Sequence, residues 1–157
     1  MALKTARFSN LFLAGMLTGN EFGGFVGFHP ALYRLPTEAH ATAEQAITAR
    51  FGKIMPPFMT ATIVSFVPVL SLTRDRRSFR FTLAGMLCYL AMLGVTFTGN
   101  MPANRRTLEL DPTTVSRDEL IALRRRWDGF HAARNLLNAA GLVLAILGTL
   151  SDTAQEG

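Results

Sequence analysis

Residues Phe81–Met101 read FTLAGMLCYLAMLGVTFTGNM, a run without one charged side chain. About 20 such residues in α-helical geometry cross the hydrocarbon of a bilayer. Inside it a lone segment can satisfy its backbone only as a helix. Outward from this run, Ile54–Leu72 is equally free of charge, and Phe8–His29 and Gly129–Leu150 are apolar stretches of similar length with a few polar groups. Four spans predict an all-α chain: an integral membrane, antiparallel four-helix bundle, one domain over residues 1–157, with an additional amphipathic helix in the loops.

Composition agrees with this class. Hydrophobic residues make up 49% and charged ones 17%, against about 25% charged in soluble domains; mean hydropathy is +0.24. A soluble bundle would have to hide nearly every face of four long apolar helices. Lys4 and Arg7 followed by LFLAGML resemble a secretory signal, but no small-x-small cleavage site follows, so the first helix is expected to be retained. The formal net charge is +5. Most arginines flank the spans, and no basic patch is interleaved with aromatic rings, which argues for a lipid bilayer and against nucleic acid as the partner. Lys4, Arg7 and the short turn with Arg74, Arg76, Arg77 and Arg80 place both termini on the cytoplasmic side. Cys88 lies alone in the third span and has no disulfide partner in the chain.

Thr37–Arg50 reads as a helix leading into the second span, with Thr37 as its cap, and Pro68 should kink that span. Asp111-Pro112 or Ser116 should start a short amphipathic helix that runs into the last span. Gly15, Gly19, Gly23 and Gly27 recur at four-residue intervals. Such a stripe lets another helix come close, within the chain or in a homo-oligomer. LAGML (Leu13–Leu17 and Leu83–Leu87) and TGN (Thr18–Asn20 and Thr98–Asn100) each occur twice, at unequal spacing that favours chance over duplication.

Glu21 is the residue hardest to dismiss, because a carboxylate in an apolar span is kept only with a partner or a task. In an up-down-up-down bundle, the end of helix 1 meets the start of helix 2, the end of helix 3 and the start of helix 4. His29, Met55, Asn100, Asn104, Trp127, His131, Arg134, Asn135 and Asn138 all fall at that end. Trp127, His131, Arg134, Asn135 and Asn138 share one helical stripe. The candidate catalytic residues are Glu21, His29, His131 and Arg134; Phe22, Phe25, Phe28, Asn100, Asn104 and Trp127 are candidates for holding substrate. Glu21, His29 and His131 form a two-histidine, one-carboxylate set that suits copper or iron. Without metal, Glu21 or His131 would act as general base toward an acidic aromatic C–H or phenol, with Arg134 stabilising the oxyanion. Each member also has a plainer reading: Trp127 as an interfacial anchor, Arg134 snorkelling, Asn135 and Asn138 in interhelical hydrogen bonds.

Three segments in this order, NEFGGFVGFHPAL (Asn20–Leu32), TGNMPANRRTL (Thr98–Leu108) and RRWDGFHAARNLLNAAG (Arg125–Gly141), resemble the anthrone oxygenase-like small four-helix membrane proteins. The resemblance implies a membrane-bound monooxygenase that converts a polycyclic aromatic such as an anthrone to a quinone, with molecular oxygen as co-substrate, in a bacterial inner membrane. Its matched positions are Glu21, His29, Asn100, Asn104, Trp127, His131 and Arg134. The rival expectation is a non-catalytic transporter or accessory subunit in which Glu21 and Arg134 form a structural ion pair.

Overall fold

The computed structural model describes residues 1–153, and every regular element among them is helical. The order is α1 (Ala2–Gly23), a wide π-turn (Gly24–Phe28), α2 (His29–Leu32), α3 (Thr37–Val64), α4 (Phe66–Leu72), α5 (Arg76–Val95), a second π-turn (Thr96–Asn100), α6 (Met101–Glu109) and α7 (Arg117–Thr153). These pieces stack end to end into the four rods of a helical bundle. Three continuous runs, Thr37–Leu72, Arg76–Glu109 and Arg117–Asp152, are long and apolar enough to cross a membrane. The first helix, at 22 residues, is long enough but falls short in apolarity.

The bundle is inverted relative to a soluble one. Phe8, Phe12, Phe22, Val67, Leu87 and Leu136 face outward, while Asn10, Glu21, Glu44, Asn100, Arg124 and His131 are buried. The apolar part of the core is small: Leu17, Phe66, Tyr89 and Met92 meet at mid-height. There the Tyr89 hydroxyl lies 2.9 Å from Thr18 Oγ1 and donates to the Ala14 carbonyl at 3.3 Å. At the far end Arg7 ties three rods together, donating to Asp152 at 2.6 Å and to Ser78 at 3.0 Å.

Close helix approach occurs at other glycines than the stripe suggested. A Cβ added at Gly85 would lie 2.9 Å from the Gly141 carbonyl, and one at Gly141 would lie 2.8 Å from the Tyr89 ring. Backbone-close packing therefore joins α5 to α7. Nothing lies within 4 Å of a Cβ at Gly15, Gly19, Gly23 or Gly27. The expected approach of another helix to that stripe within the chain is overturned: α1 buries the opposite face, through Asn10, Ala14, Leu17 and Glu21.

Other local expectations are adjusted. Pro36, not Thr37, precedes the first turn of α3 as its cap residue, and no side chain caps that turn. Pro68 cannot donate to Val64, and the rod breaks next to that carbonyl, at Ser65 between α3 and α4. Ser116 starts α7 by accepting from the Glu119 amide at 3.2 Å, and the short amphipathic helix expected there is simply the first part of this 37-residue helix. Asp111 instead accepts from the Thr113 amide at 2.9 Å in a turn.

Candidate functional site

The two π-turns shape the site. Each ends immediately before an X-Pro pair, His29-Pro30 and Met101-Pro102. Proline has no N–H to continue the ladder, so the helix must re-register nearby, and a π-turn does so by absorbing about one extra residue. On a regular helix Glu21 and His29, eight residues apart, would point about 80° away from each other. One absorbed residue brings them to within about 20° of a common direction. The wide turn therefore swings His29 onto the Glu21 face.

On that face Glu21 takes an Arg134 N–H on Oε1, and its Oε2 lies 3.1 Å from His131 Nε2. All three side chains are buried. A second assembly sits about two helical turns along the bundle, where Arg124 stands seven residues before His131. Glu44 Oε1 lies 3.1 Å from Arg124 Nε, 3.5 Å from His29 Nδ1 and 3.5 Å from His40 Nε2. Arg124 also reaches His29 Nδ1 at 3.3 Å. His29 Nδ1 thus stands between the Arg124 donor and the Glu44 carboxylate acceptor.

Trp127 joins the two assemblies. Its ring centroid is 4.5 Å from that of His29 and 4.4 Å from that of His131, and the Arg124 guanidinium lies over it at 4.3 Å. The indole N–H donates to Asn104 Oδ1 at 2.7 Å, and its backbone carbonyl accepts from Asn100 at 3.2 Å. Trp127 is 9% exposed, so it is an interior strut and not an interfacial anchor. Outside this wall Tyr33 donates to Asp128 at 2.5 Å. Burial and that hydrogen bond raise the Tyr33 phenol above its usual range.

Both assemblies line one cavity of about 730 Å³ reached by all four rods. Its remaining wall is mostly apolar, with Phe28, Phe51, Met55, Met59, Leu93 and Phe97, and also carries Asn20, Thr48, Thr96, Asn104 and Arg105. Of the expected substrate contacts, Phe28, Asn104 and Trp127 line it; Phe25 stands edge-on to His131 with centroids 6.0 Å apart, and Asn100 acts through the Trp127 carbonyl. Phe22 faces outward at 58% exposure. Asn135 donates to the His131 carbonyl of its own helix at 3.0 Å, and the Asn138 amide makes no hydrogen bond, so neither supplies the expected interhelical bond.

The family described as Anthrone oxygenase matches residues 45–144. The chain belongs to the anthrone oxygenase family. No curated protein and no solved structure matches it. The anthrone oxygenase match takes in Asn104, Arg124, Trp127, His131 and Arg134, while Glu21, His29, His40 and Glu44 precede it. Membership points to an oxygenase-like function.

The copper or iron set of Glu21, His29 and His131 does not fit this arrangement. Among the described residues no three His, Cys, Asp or Glu side chains converge on a point where a metal ion would sit. Each carboxylate already faces an arginine, whose positive charge opposes a cation beside it. Sequence reading passed over His40, Glu44 and Arg124. Two signals were available: His40 and Glu44 stand at i, i+4, and Arg124 extends the stripe 127, 131, 134, 138 back by three residues.

Proposed function

We propose that this protein is a membrane-bound oxygenase for a neutral, apolar, anthrone-like aromatic. One observation carries the reading: a cavity of about 730 Å³ with aromatic and aliphatic groups on one side and two carboxylate–arginine–histidine assemblies on the other. Substrate enters from the lipid and lies between Phe28, Phe51 and Trp127. Its ketone or phenol oxygen takes a hydrogen bond from the Asn104 amide N–H₂, whose Oδ1 is held by Trp127.

His131, oriented by Glu21, removes the proton of the acidic methylene, and a spare Arg134 N–H stabilises the enolate oxygen. The electron-rich carbanion is then oxidised by dioxygen. The balance is R₂CH₂ + O₂ → R₂C=O + H₂O: two C–H bonds and the O–O bond break, one oxygen is retained, and the proton held on His131 leaves in water. Excluding bulk water from the chamber strengthens each of these electrostatic contacts. The first helix makes the fourth crossing, supported by outward-facing Phe8, Phe12, Met16 and Phe22, with both termini in the cytoplasm.

The test is dioxygen uptake and quinone formation by the full chain in detergent with an anthrone. Wild type is expected to turn over, and His131→Ala and Glu21→Asn to lose roughly hundredfold or more. Both variants are checked for helicity by circular dichroism. Wild-type-like turnover in both folded variants removes the catalytic assignment of His131 and Glu21, and no turnover by the wild type removes the oxygenase reading and leaves the Glu21–Arg134 pair as a scaffold of a carrier or accessory subunit.

A further inference from the structure

A different feature occupies the opposite end of the bundle. The turn between α4 and α5 forms a pocket of about 350 Å³ lined by Thr73, Arg74, Arg76, Phe79 and Arg80. None of the three arginines forms an ion pair with a carboxylate among the described residues. The nearby Asp75 turns its carboxylate to the Ser78 amide at 2.7 Å, capping the helix. Three guanidinium groups around one concavity are suited to a phosphate, whose oxygens accept their paired N–H donors.

Position selects the source of that phosphate. The pocket caps the end of two apolar runs, and Leu72 and Phe79 beside it remain 42% and 39% exposed. An acyl chain can follow this apolar border while the headgroup stays at the arginines, an arrangement that free phosphate cannot use. The geometry points to a binding site for an anionic phospholipid headgroup at the α4–α5 turn. It shares no lining residue with the oxygenase cavity, so it stands independently of the reading proposed for that chamber.

The experiment is thermal unfolding and native mass spectrometry of the full chain in detergent, titrated with phosphatidylglycerol, with phosphatidylcholine of the same acyl chains, or with inorganic phosphate. Phosphatidylglycerol is expected to raise the melting temperature and to remain bound, and the other two to do neither. Affinity should fall roughly fivefold for each arginine removed in Arg74→Gln, Arg76→Gln and Arg80→Gln. The control Arg50→Gln, at the other end of the bundle, should leave it unchanged. Equal response to the two lipids, or full phosphatidylglycerol binding by the triple variant, overturns the site. An equal response to inorganic phosphate overturns the lipid as its occupant. If the triple variant does not fold, the single variants decide by the same affinity readout.

Discussion

Glu44 and Arg124 illustrate what a single side chain does in this interior. Each is about 1% exposed, and each has its charge balanced mainly by the other. Breaking a buried pair leaves an uncompensated charge, whereas replacing both partners removes the charge altogether. Arg124→Met alone is therefore expected to destabilise the protein by about 3–5 kcal/mol, and Arg124→Met with Glu44→Met by clearly less. Denaturation of the detergent-solubilised variants measures both. Tyr33 gives a second prediction at this scale. Its folded-state pKa is raised, so its contribution is fully present below the ordinary phenol value of about 10 and is lost as pH rises toward the folded value. Alkaline titration should thus weaken the wild type above about pH 10, and Tyr33→Phe should flatten that limb of the stability profile. Glu21 was legible in the sequence because charge in an apolar run stands out. Glu44 was not, because it lies in the polar segment TEAHATAEQAITAR, where a carboxylate looks like ordinary solvated surface.

The elements that position the site are the two π-turns and the glycine seam. Val26 lies in the first π-turn and is 52% exposed, outside the buried core. Deleting it should restore a regular helix and still leave His29 within about 20° of the Glu21 direction, since seven residues of regular helix turn through about 700°. Turnover, helicity and membrane insertion are all expected to persist, as an activity assay and circular dichroism would register, and loss of turnover in a folded variant would show that the wide turn itself is needed. Glycines give the opposite contrast. Gly85→Ala pushes a methyl group into the Gly141 carbonyl and should destabilise by about 1–3 kcal/mol. Gly19→Ala meets open space and should be neutral or stabilising by up to about 1 kcal/mol. A clear loss at Gly19 would instead report a second copy of the chain packed on that stripe. Spacing alone could not rank the two sets of glycines, since both offer a small-residue surface and only one has a neighbour within the chain.

At the scale of the molecule, the chamber is lined by Glu21, Glu44, Arg105, Arg124 and Arg134; the two carboxylates pair with Arg134 and Arg124, and Arg105 forms no ion pair among the described residues. Between Glu21 and Glu44 a ligand's negative charge would lose hydration and meet only arginines already paired, so a neutral group is favoured there. An anthrone bearing a carboxylate is expected to bind at least tenfold more weakly than its neutral parent, as fluorescence quenching of Trp127 would measure. Equal affinity would mean that the carboxylate reaches Arg105 or that one of the paired arginines is released on binding. The helical class, the apolar runs and the convergence of polar groups at one end were written in the sequence, because hydropathy and helical period are local properties. Family membership was legible too, through three short segments in fixed order. Which side chains meet was decided only by tertiary structure. A π-turn changes the facing of every residue after it without altering the pattern before it, and a buried ion pair between Glu44 and Arg124 spans segments whose separate sequences give no hint of each other.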